Sequence, residues 1–326
     1  MENNSNPLKK VLSVRGMRQV LTAAAGLIII CFVFGLQSPA FFKPQNIGNL
    51  TRQIAPILLI GVGQSFVLIT GNIDLSIGSV VGMSSMVAAT LMTKGGNPWL
   101  CALAALAVSL IVGSINGILV SYAGLPPFIA TLGTMSISRG IAQLVNNNYN
   151  TDSIGEAAGA FRDFMYYGKT LGIYNTVIIA LLLWAVFFFV LMKTRTGRHI
   201  YAIGSNVDAA RLSGVSVVST TVKAYIVSSF CASVVGLIVC ASAGMGAMDA
   251  GTSYEMYAVA AAVIGGISTL GGQGNLIGTV VGASIWAVLQ NGLSLVGAKL
   301  AFQNITIGVI VIVAVLLDVI VRKRGK

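Results

Sequence analysis

The longest uncharged runs of this chain have the length of membrane-spanning helices. No charged residue occurs from Gln53 to Ile73 or from Leu75 to Thr93, and the uncharged runs 95–138 and 256–298 contain 44 and 43 residues. About 20 apolar residues cross the hydrocarbon core of a bilayer as a helix. Because a segment in lipid must satisfy its own backbone hydrogen bonds, these runs predict an all-α integral membrane protein.

The composition excludes most soluble classes of protein. Of the 326 residues, 56% are hydrophobic and only 9% are charged, whereas soluble domains carry about 25% charged residues. The net charge of +11 would suggest nucleic-acid binding in a soluble protein, but here the basic residues flank apolar runs, as membrane topology signals do. We therefore expect a membrane lipid environment and no nucleic-acid partner.

The cysteine and histidine residues do not form a metal-binding pattern. The single histidine, His199, stands in a basic loop, and the four cysteines lie inside apolar runs without the spacing of metal ligands: Cys31, Cys101, Cys231 and Cys240. We predict no metal site and expect the cysteines to be small buried side chains.

The uncharged runs predict about ten transmembrane helices. The run 95–138 divides at residues 124–127 and the run 256–298 divides at 271–275, because consecutive prolines and glycine clusters interrupt helices. Each of these two runs therefore supplies two spans. Six single spans are expected near 20–37, 53–70, 75–93, 174–192, 224–244 and 300–320.

The distribution of basic residues predicts the orientation in the membrane. With the N-terminal segment 1–19 in the cytoplasm, the membrane domain 20–321 crosses ten times, and the basic tail 322–326 is again cytoplasmic. Thirteen of the 20 Lys and Arg residues then lie in or beside cytoplasmic segments, the longest of which is the loop 193–221. Both termini are therefore predicted to be cytoplasmic.

The second half of the loop 193–221 has the signals of a short helix. Asn206 suits the N-cap, Asp208 would lie in the first turn near the positive end of the helix dipole, and Gly214 suits the C-terminal end. Two interpretations of this helix stay open at this point. It lies on the lipid surface as an interfacial helix, or it docks onto a cytoplasmic partner.

Several motifs, in collinear order, resemble those of ribose-type ABC importer permeases, in the branched-chain amino acid/sugar permease superfamily. The stretch Asn72-Ile73-Asp74-Leu75-Ser76-Ile77-Gly78-Ser79 is similar to the family signature GIDLSVGS, and the loop 197–214 is similar to GRYIYAIGGNEEAARLSGI. Further similarities occur at 128–134, at 251–274 and at 291–293. The resemblance covers residues 40–320. The departures are mild: Asn72 and Ser205 replace common glycines, and Val207 replaces a common glutamate.

The resemblance implies a complete transport system in a bacterial inner membrane. The implied fold is the cobalamin-importer-like ABC permease fold, in which two copies line one path and a homodimer is favoured. The implied partners are a second permease copy, an ABC ATPase with two nucleotide-binding domains, and an extracytoplasmic sugar-binding protein. The resemblance also implies that closure of the ATPase moves a coupling helix, which matches Asn206, Asp208, Ala209, Ala210, Arg211, Leu212 and Gly214.

The chain itself has no sequence signature of an ATPase or of another enzyme. The glycine-rich stretch 271–275 lacks the Gly-Lys-Ser/Thr ending that holds phosphate and magnesium, so it predicts a tight turn between spans. We also find no Ser-His-Asp set in the sequence. We expect no catalytic residue and no bound cofactor, with ATP and Mg²⁺ used by the partner ATPase.

A neutral sugar would cross through weak hydrogen bonds and aromatic contacts, because tight binding would trap it. Each polar residue within the spans could instead form a hydrogen bond between helices. Asp74 could instead lie at the membrane boundary or cap a helix. The candidate path residues are Gln64, Asn72, Asp74, Asn116, Phe128, Thr131 and Asn291.

The span count places Asp249 and Glu255 outside, where they would dock the binding protein or simply be solvated acids. Alternative functions are a stand-alone secondary sugar transporter or channel and a nucleoside-type ABC permease. Proton-coupled carriers usually need ionisable groups in their core, and here only Asp74 and Asp318 are candidates. That scarcity argues against the stand-alone carrier. The resemblance implies the ATP-driven importer of a monosaccharide, a pentose, hexose or analogue.

Overall fold

The computed structural model of the chain describes residues 17–299, 301–303, 305–306, 308–310, 312–313 and 316. Apart from one two-stranded hairpin, β1 (Lys169–Thr170) and β2 (Ile173–Tyr174), its regular structure is helical. The α-helices are α1 (Met17–Gln37), α2 (Pro44–Ile69), α3 (Ile77–Thr93), α4 (Pro98–Ser121), α5 (Pro127–Leu144), α6 (Gly159–Arg162), α7 (Asn175–Lys193), α8 (Arg195–Ser205), α9 (Val207–Leu212), α10 (Val217–Ala243), α11 (Tyr254–Ile264) and α12 (Leu276–Leu295).

Six helices of the described part are long and apolar enough to cross a membrane: α1, α2, α4, α7, α10 and α12. The apolar helices α3 and α11 are shorter, with 17 and 11 residues, and α5 has 18 residues. The all-α membrane architecture is therefore confirmed. The count of ten spans stays a prediction, and the span 300–320 and the terminal segments 1–19 and 322–326 lie partly or wholly outside the described residues.

Helix α2 begins earlier than the uncharged run predicted. The uncharged run after Arg52 predicts a span that starts near residue 53, whereas the helix starts at Pro44. Proline suits the first turn of a helix, where no backbone N–H donor is needed. Arg52 stays inside the helix because its guanidinium lies over the Tyr174 ring, 4.2 Å from the centroid.

Both helix breaks inside the long uncharged runs are confirmed. Gly124, between α4 and α5, has a φ of 71°, and Gly271 and Gly272, before α12, have φ values of 83° and 68°. Such positive φ values are readily adopted by glycine alone.

Two central helices organise the core. Helix α10 packs on α2, α3 and α4, and α2 also packs on α7, α11 and α12. Helices α11 and α12 are in close backbone contact. A side chain at Gly278 would collide with the Gly265 carbonyl, and one at Gly282 would collide with the Ala261 carbonyl. The small-residue pattern in α12 therefore serves helix packing. Three of the four cysteines are buried as expected, Cys101, Cys231 and Cys240, whereas Cys31 is only partly buried.

We expect Gly282→Leu to destabilise the protein by about 2 kcal/mol or more, because the new side chain has backbone atoms in its way. The measurement is the apparent Tm of the purified protein in detergent. The matched control is Gly26→Leu in α1, where no other atom lies within 4 Å of an added side-chain carbon. Equal Tm values for the two variants would contradict the proposed close contact.

The segment 244–253, between α10 and α11, runs antiparallel along α3. A side chain at Gly246 would meet the Ala89 side chain at 2.9 Å, and one at Gly82 would meet the Ala250 carbonyl at 2.6 Å. Gly251 lies against the Gly78 carbonyl, close to the start of α3. This non-helical segment therefore follows α3 over most of its length before α11 begins.

The non-membrane segment 146–173 folds over the end of α10. It contains short helical turns and leads into the β-hairpin. The Thr151 N–H donates to the Gly246 carbonyl at 3.0 Å, and Arg162 Nε donates to the Ala241 carbonyl at 3.1 Å. The bond from Arg162 satisfies a carbonyl in the last turn of α10, which the helix end leaves without a partner.

Candidate coupling helix and translocation path

The predicted short helix in the loop 193–221 is confirmed as α9. The Asn206 side chain accepts a hydrogen bond from the Ala209 N–H at 2.9 Å, and Gly214 ends the helix with a φ of 80°. Of the coupling residues, Ala210 is buried, whereas Leu212 is 90% exposed. The other coupling residues, Asn206, Asp208, Ala209, Arg211 and Gly214, are also exposed.

Helix α9 is attached to the membrane domain through α8, which was not predicted. The end of α8 is in backbone contact with the end of α2 and with the glycine-rich turn 271–275. A side chain at Gly204 would collide with the Ile69 carbonyl and would meet the Gly272 nitrogen at 2.5 Å. The Gly272 N–H in turn donates to the Ile69 carbonyl at 2.8 Å. Tyr201 in α8 donates to the Gly274 carbonyl at 2.7 Å. Any displacement of α8 therefore acts directly on the end of α2 and on the glycine-rich turn.

Asp74 is fully buried in the loop between α2 and α3. One carboxyl oxygen accepts hydrogen bonds from the Ser76 N–H at 2.9 Å and the Ser76 hydroxyl at 2.6 Å. The other oxygen accepts a bond from the Ser228 hydroxyl of α10 at 2.7 Å. Asp74 thus closes the turn that leads into α3 and ties that turn to a central helix.

The bonds from Asp74 continue as a polar network across two more helices. Asn116 of α4 donates to the Ser76 hydroxyl at 2.9 Å, and its amide oxygen accepts from Thr134 of α5 at 2.6 Å. All four side chains are buried. The network joins α4, α5 and α10 at the start of α3, and a buried network of satisfied groups fixes one arrangement of its helices.

The remaining candidate path residues do not converge on one place. Asn291 of α12 pairs with Asn46 of α2 through two amide hydrogen bonds of 3.0 and 3.1 Å. Thr131 is buried and donates to the Pro127 carbonyl in its own helix. Asn72 is partly exposed and donates to Thr70, whereas Phe128 is 53% exposed on α5.

Gln64 is fully buried in the middle of α2, and its amide has no hydrogen-bond partner in the described part of the chain. A buried amide without a partner costs about 1–3 kcal/mol. In one copy of the chain, Gln64, Asp74, Asn116 and Thr131 lie among helices. Their role in the path stays a prediction.

An open cleft of about 420 Å³ lies beside α5. The candidate path did not include its residues. The one sequence feature that points to this cleft is Arg139, the charged residue that ends the long uncharged run 95–138. The cleft is lined by Ser79, Met135, Ser136, Arg139, Gly140, Gln143, Thr252, Ser253 and Glu255.

The two acids predicted to dock the binding protein, Asp249 and Glu255, both lie close to α3, and their docking role stays a prediction. Glu255 lies in the first turn of α11, and its carboxylate oxygen lies where a side-chain carbon at Gly78, in the first turn of α3, would stand. Asp249 is exposed on the segment that descends along α3. Both residues follow the point at which the chain turns back along α3 after α10.

Comparison with known proteins identifies the family. The model of the family described as "Branched-chain amino acid transport system / permease component" matches residues 46–315. The ribose import permease protein RbsC of Bacillus subtilis (strain 168) is 35% identical over 97% of this chain and 97% of its own length. The D-allose transport system permease protein AlsC of Escherichia coli (strain K12) is 36% identical over 91% of this chain and 90% of its own.

A third relative, the fructose import permease protein FruF of Bifidobacterium longum (strain NCC 2705), is 35% identical over 95% of this chain and 89% of its own. No solved structure gives a significant match. The family match and the membrane-length helices agree. The chain therefore belongs to the family of branched-chain amino acid transport system permease components, and it is a multi-pass inner-membrane permease subunit without an ATPase activity of its own.

Proposed function

We propose that this chain is the membrane subunit of an ATP-driven importer for a monosaccharide. The support for the substrate class is that relatives named as ribose, D-allose and fructose transport permeases are similar over at least 90% of the chain. In the proposed assembly, an extracytoplasmic sugar-binding protein delivers the substrate, and a separate ABC ATPase with two nucleotide-binding domains supplies the energy.

The observation that carries the ATPase partner is the exposure of α9. An isolated helix of six residues is too short to be stable in water, so its caps and its attachment to α8 must hold it in place. It nevertheless presents Leu212 almost completely to the surroundings. A rigid projecting helix with an exposed leucine is suited to insertion into a groove of a partner.

The attachment of α8 supports the proposed transmission of force. Backbone contacts without intervening side chains leave little room for independent motion, and Gly204 makes such contacts with α2 and the glycine-rich turn. Movement of α9 by an ATPase would therefore move these two elements. Beyond them, the Asp74 network connects the start of α3 to α5.

Two copies of the chain, in a cobalamin-importer-like arrangement of about ten spans each, would enclose the path. The helix that best suits the path is α5, because its exposed positions mix Phe128 with the polar Ser136 and Gln143. Exposed polar side chains in a membrane helix usually face water or protein. The docking role of Asp249 for the binding protein stays a prediction, and Glu255 is assigned to another role below.

The test is purification of the tagged chain from its native membranes in mild detergent, followed by mass spectrometry. We expect an ATPase with paired nucleotide-binding domains to co-purify, and we expect liposomes with the complete transporter and its binding protein to accumulate D-ribose, D-allose or D-fructose only with ATP. A chain that purifies alone and transports sugar without ATP would establish the stand-alone carrier instead.

A further inference from the structure

The cleft beside α5 is lined by side chains of the kinds that recognise sugars. It is lined by a carboxylate (Glu255), a guanidinium (Arg139), a primary amide (Gln143) and the hydroxyls of Ser79, Ser136, Thr252 and Ser253. A carboxylate accepts hydrogen bonds from sugar hydroxyls, and a primary amide both donates to them and accepts from them. The cleft volume of about 420 Å³ falls in the range of small-molecule pockets.

The cleft lies well inside the membrane-spanning region. The segment 244–253 follows α3 from Ala89 to Gly78, where it meets Glu255. The eleven positions from Ala89 to Gly78 in α3 correspond to about 16 Å. This distance is roughly half of the hydrocarbon thickness of a bilayer. Glu255 therefore lies far below the level at which α10 ends.

A charged cleft at this depth does not face lipid. Glu255 and Arg139 are both partly exposed and interact electrostatically, yet the only salt bridge within 4 Å in the described part of the chain joins Asp208 to Arg211. Ionisable groups within a membrane face water-filled cavities or protein. The open side of the cleft therefore faces water or protein rather than lipid.

Arg139 also explains why the backbone is irregular here. Its Nη1 donates to the Met248 carbonyl at 2.6 Å and to the Ala250 carbonyl at 2.9 Å. Non-helical backbone at membrane depth is tolerated where protein or a cavity satisfies it. Transporters use such interrupted elements to build substrate sites near the middle of the membrane. Arg139 is thus a positioning residue that holds the descending segment beside the cleft.

We propose that this cleft is a low-affinity monosaccharide subsite in the translocation path, with Glu255, Ser136 and Gln143 as hydrogen-bonding partners of sugar hydroxyls. The proposal rests on the proposed import function and adds the location of a substrate contact. Ser136 is exposed, and its hydroxyl bonds only weakly within its own helix, at 3.2 Å to the Leu132 carbonyl. It is therefore free to exchange that bond for one to a sugar.

The first experiment is cysteine labelling of the complete transporter in membranes, in a background where Cys31 is replaced by Ser. Ser136→Cys is expected to react with a membrane-impermeant charged methanethiosulfonate reagent, and added D-ribose, D-allose or D-fructose is expected to slow the reaction. Leu182→Cys, on the exposed apolar face of α7, is the control and is expected to stay unlabelled. No labelling of Ser136→Cys, or labelling that none of the three sugars slows, would overturn the subsite.

The second experiment measures sugar uptake together with ATPase co-purification. Glu255→Gln is expected to reduce uptake roughly tenfold or more, because a charge-assisted hydrogen bond is lost, whereas the ATPase still co-purifies. Ser136→Ala, which leaves helix packing intact, is expected to raise the KM for uptake. Normal uptake in both variants overturns the subsite alone, whereas failure of the unmodified chain to transport any sugar overturns the import function itself.

Discussion

Replacing Asp208–Leu212 with a Gly/Ser linker of equal length is expected to abolish ATP-driven sugar uptake. The linker removes the capped helix α9 and the exposed Leu212 while leaving α8 attached to α2. Because glycine and serine favour flexible chain over helix, the variant would no longer transmit the motion of the ATPase. The measurement is uptake in cells, with the amount of protein in the membrane determined in parallel.

A matched control variant distinguishes loss of the helix α9 from loss of its two charged side chains. The Asp208→Ala/Arg211→Ala variant removes a salt bridge of 3.7 Å between two exposed side chains, and such pairs contribute little to stability. Alanine favours the helix, so α9 should persist and this variant should keep clearly more uptake than the linker variant. Unchanged uptake in the linker variant would contradict the coupling role of α9.

Asp74→Ala is expected to destabilise the protein by at least about 3 kcal/mol, because it leaves three buried donors without their acceptor. The loss also releases Ser76, to which Asn116 donates. The result should be a much lower apparent Tm in detergent, measured by size-exclusion chromatography after heating. A variant that melts with the unmodified protein would contradict the structural role of the network.

Asp74→Asn is the matched variant for this position. An asparagine keeps one oxygen for the two bonds from Ser76 and presents an NH₂ group toward the Ser228 hydroxyl, which accepts as well as donates. We expect a smaller loss of stability than for alanine and a modest loss of uptake. Normal stability with severely reduced uptake would instead place Asp74 in the path.

Local sequence signals predicted the features that depend on neighbouring residues. The cap at Asn206 and the end of α9 at Gly214 are confirmed, since capping involves groups only a few residues apart. The turns near 124–127 and 271–275 are also confirmed, because glycine is the residue that takes positive φ values without strain. The predicted start of α2 was wrong because Arg52 lies within the helix, where its guanidinium stacks on the distant Tyr174 ring.

The sequence alone determined that the chain is an all-α membrane protein with a short capped helix between two spans, because run length, composition and caps are local properties. Only the tertiary structure decided which polar groups meet. Asp74 finds Ser228, 154 positions away, and Glu255 reaches the first turn of α3 because the segment after α10 turns back into the bundle. The physical reason is that long-range packing brings together side chains whose separation in the chain carries no periodic signal.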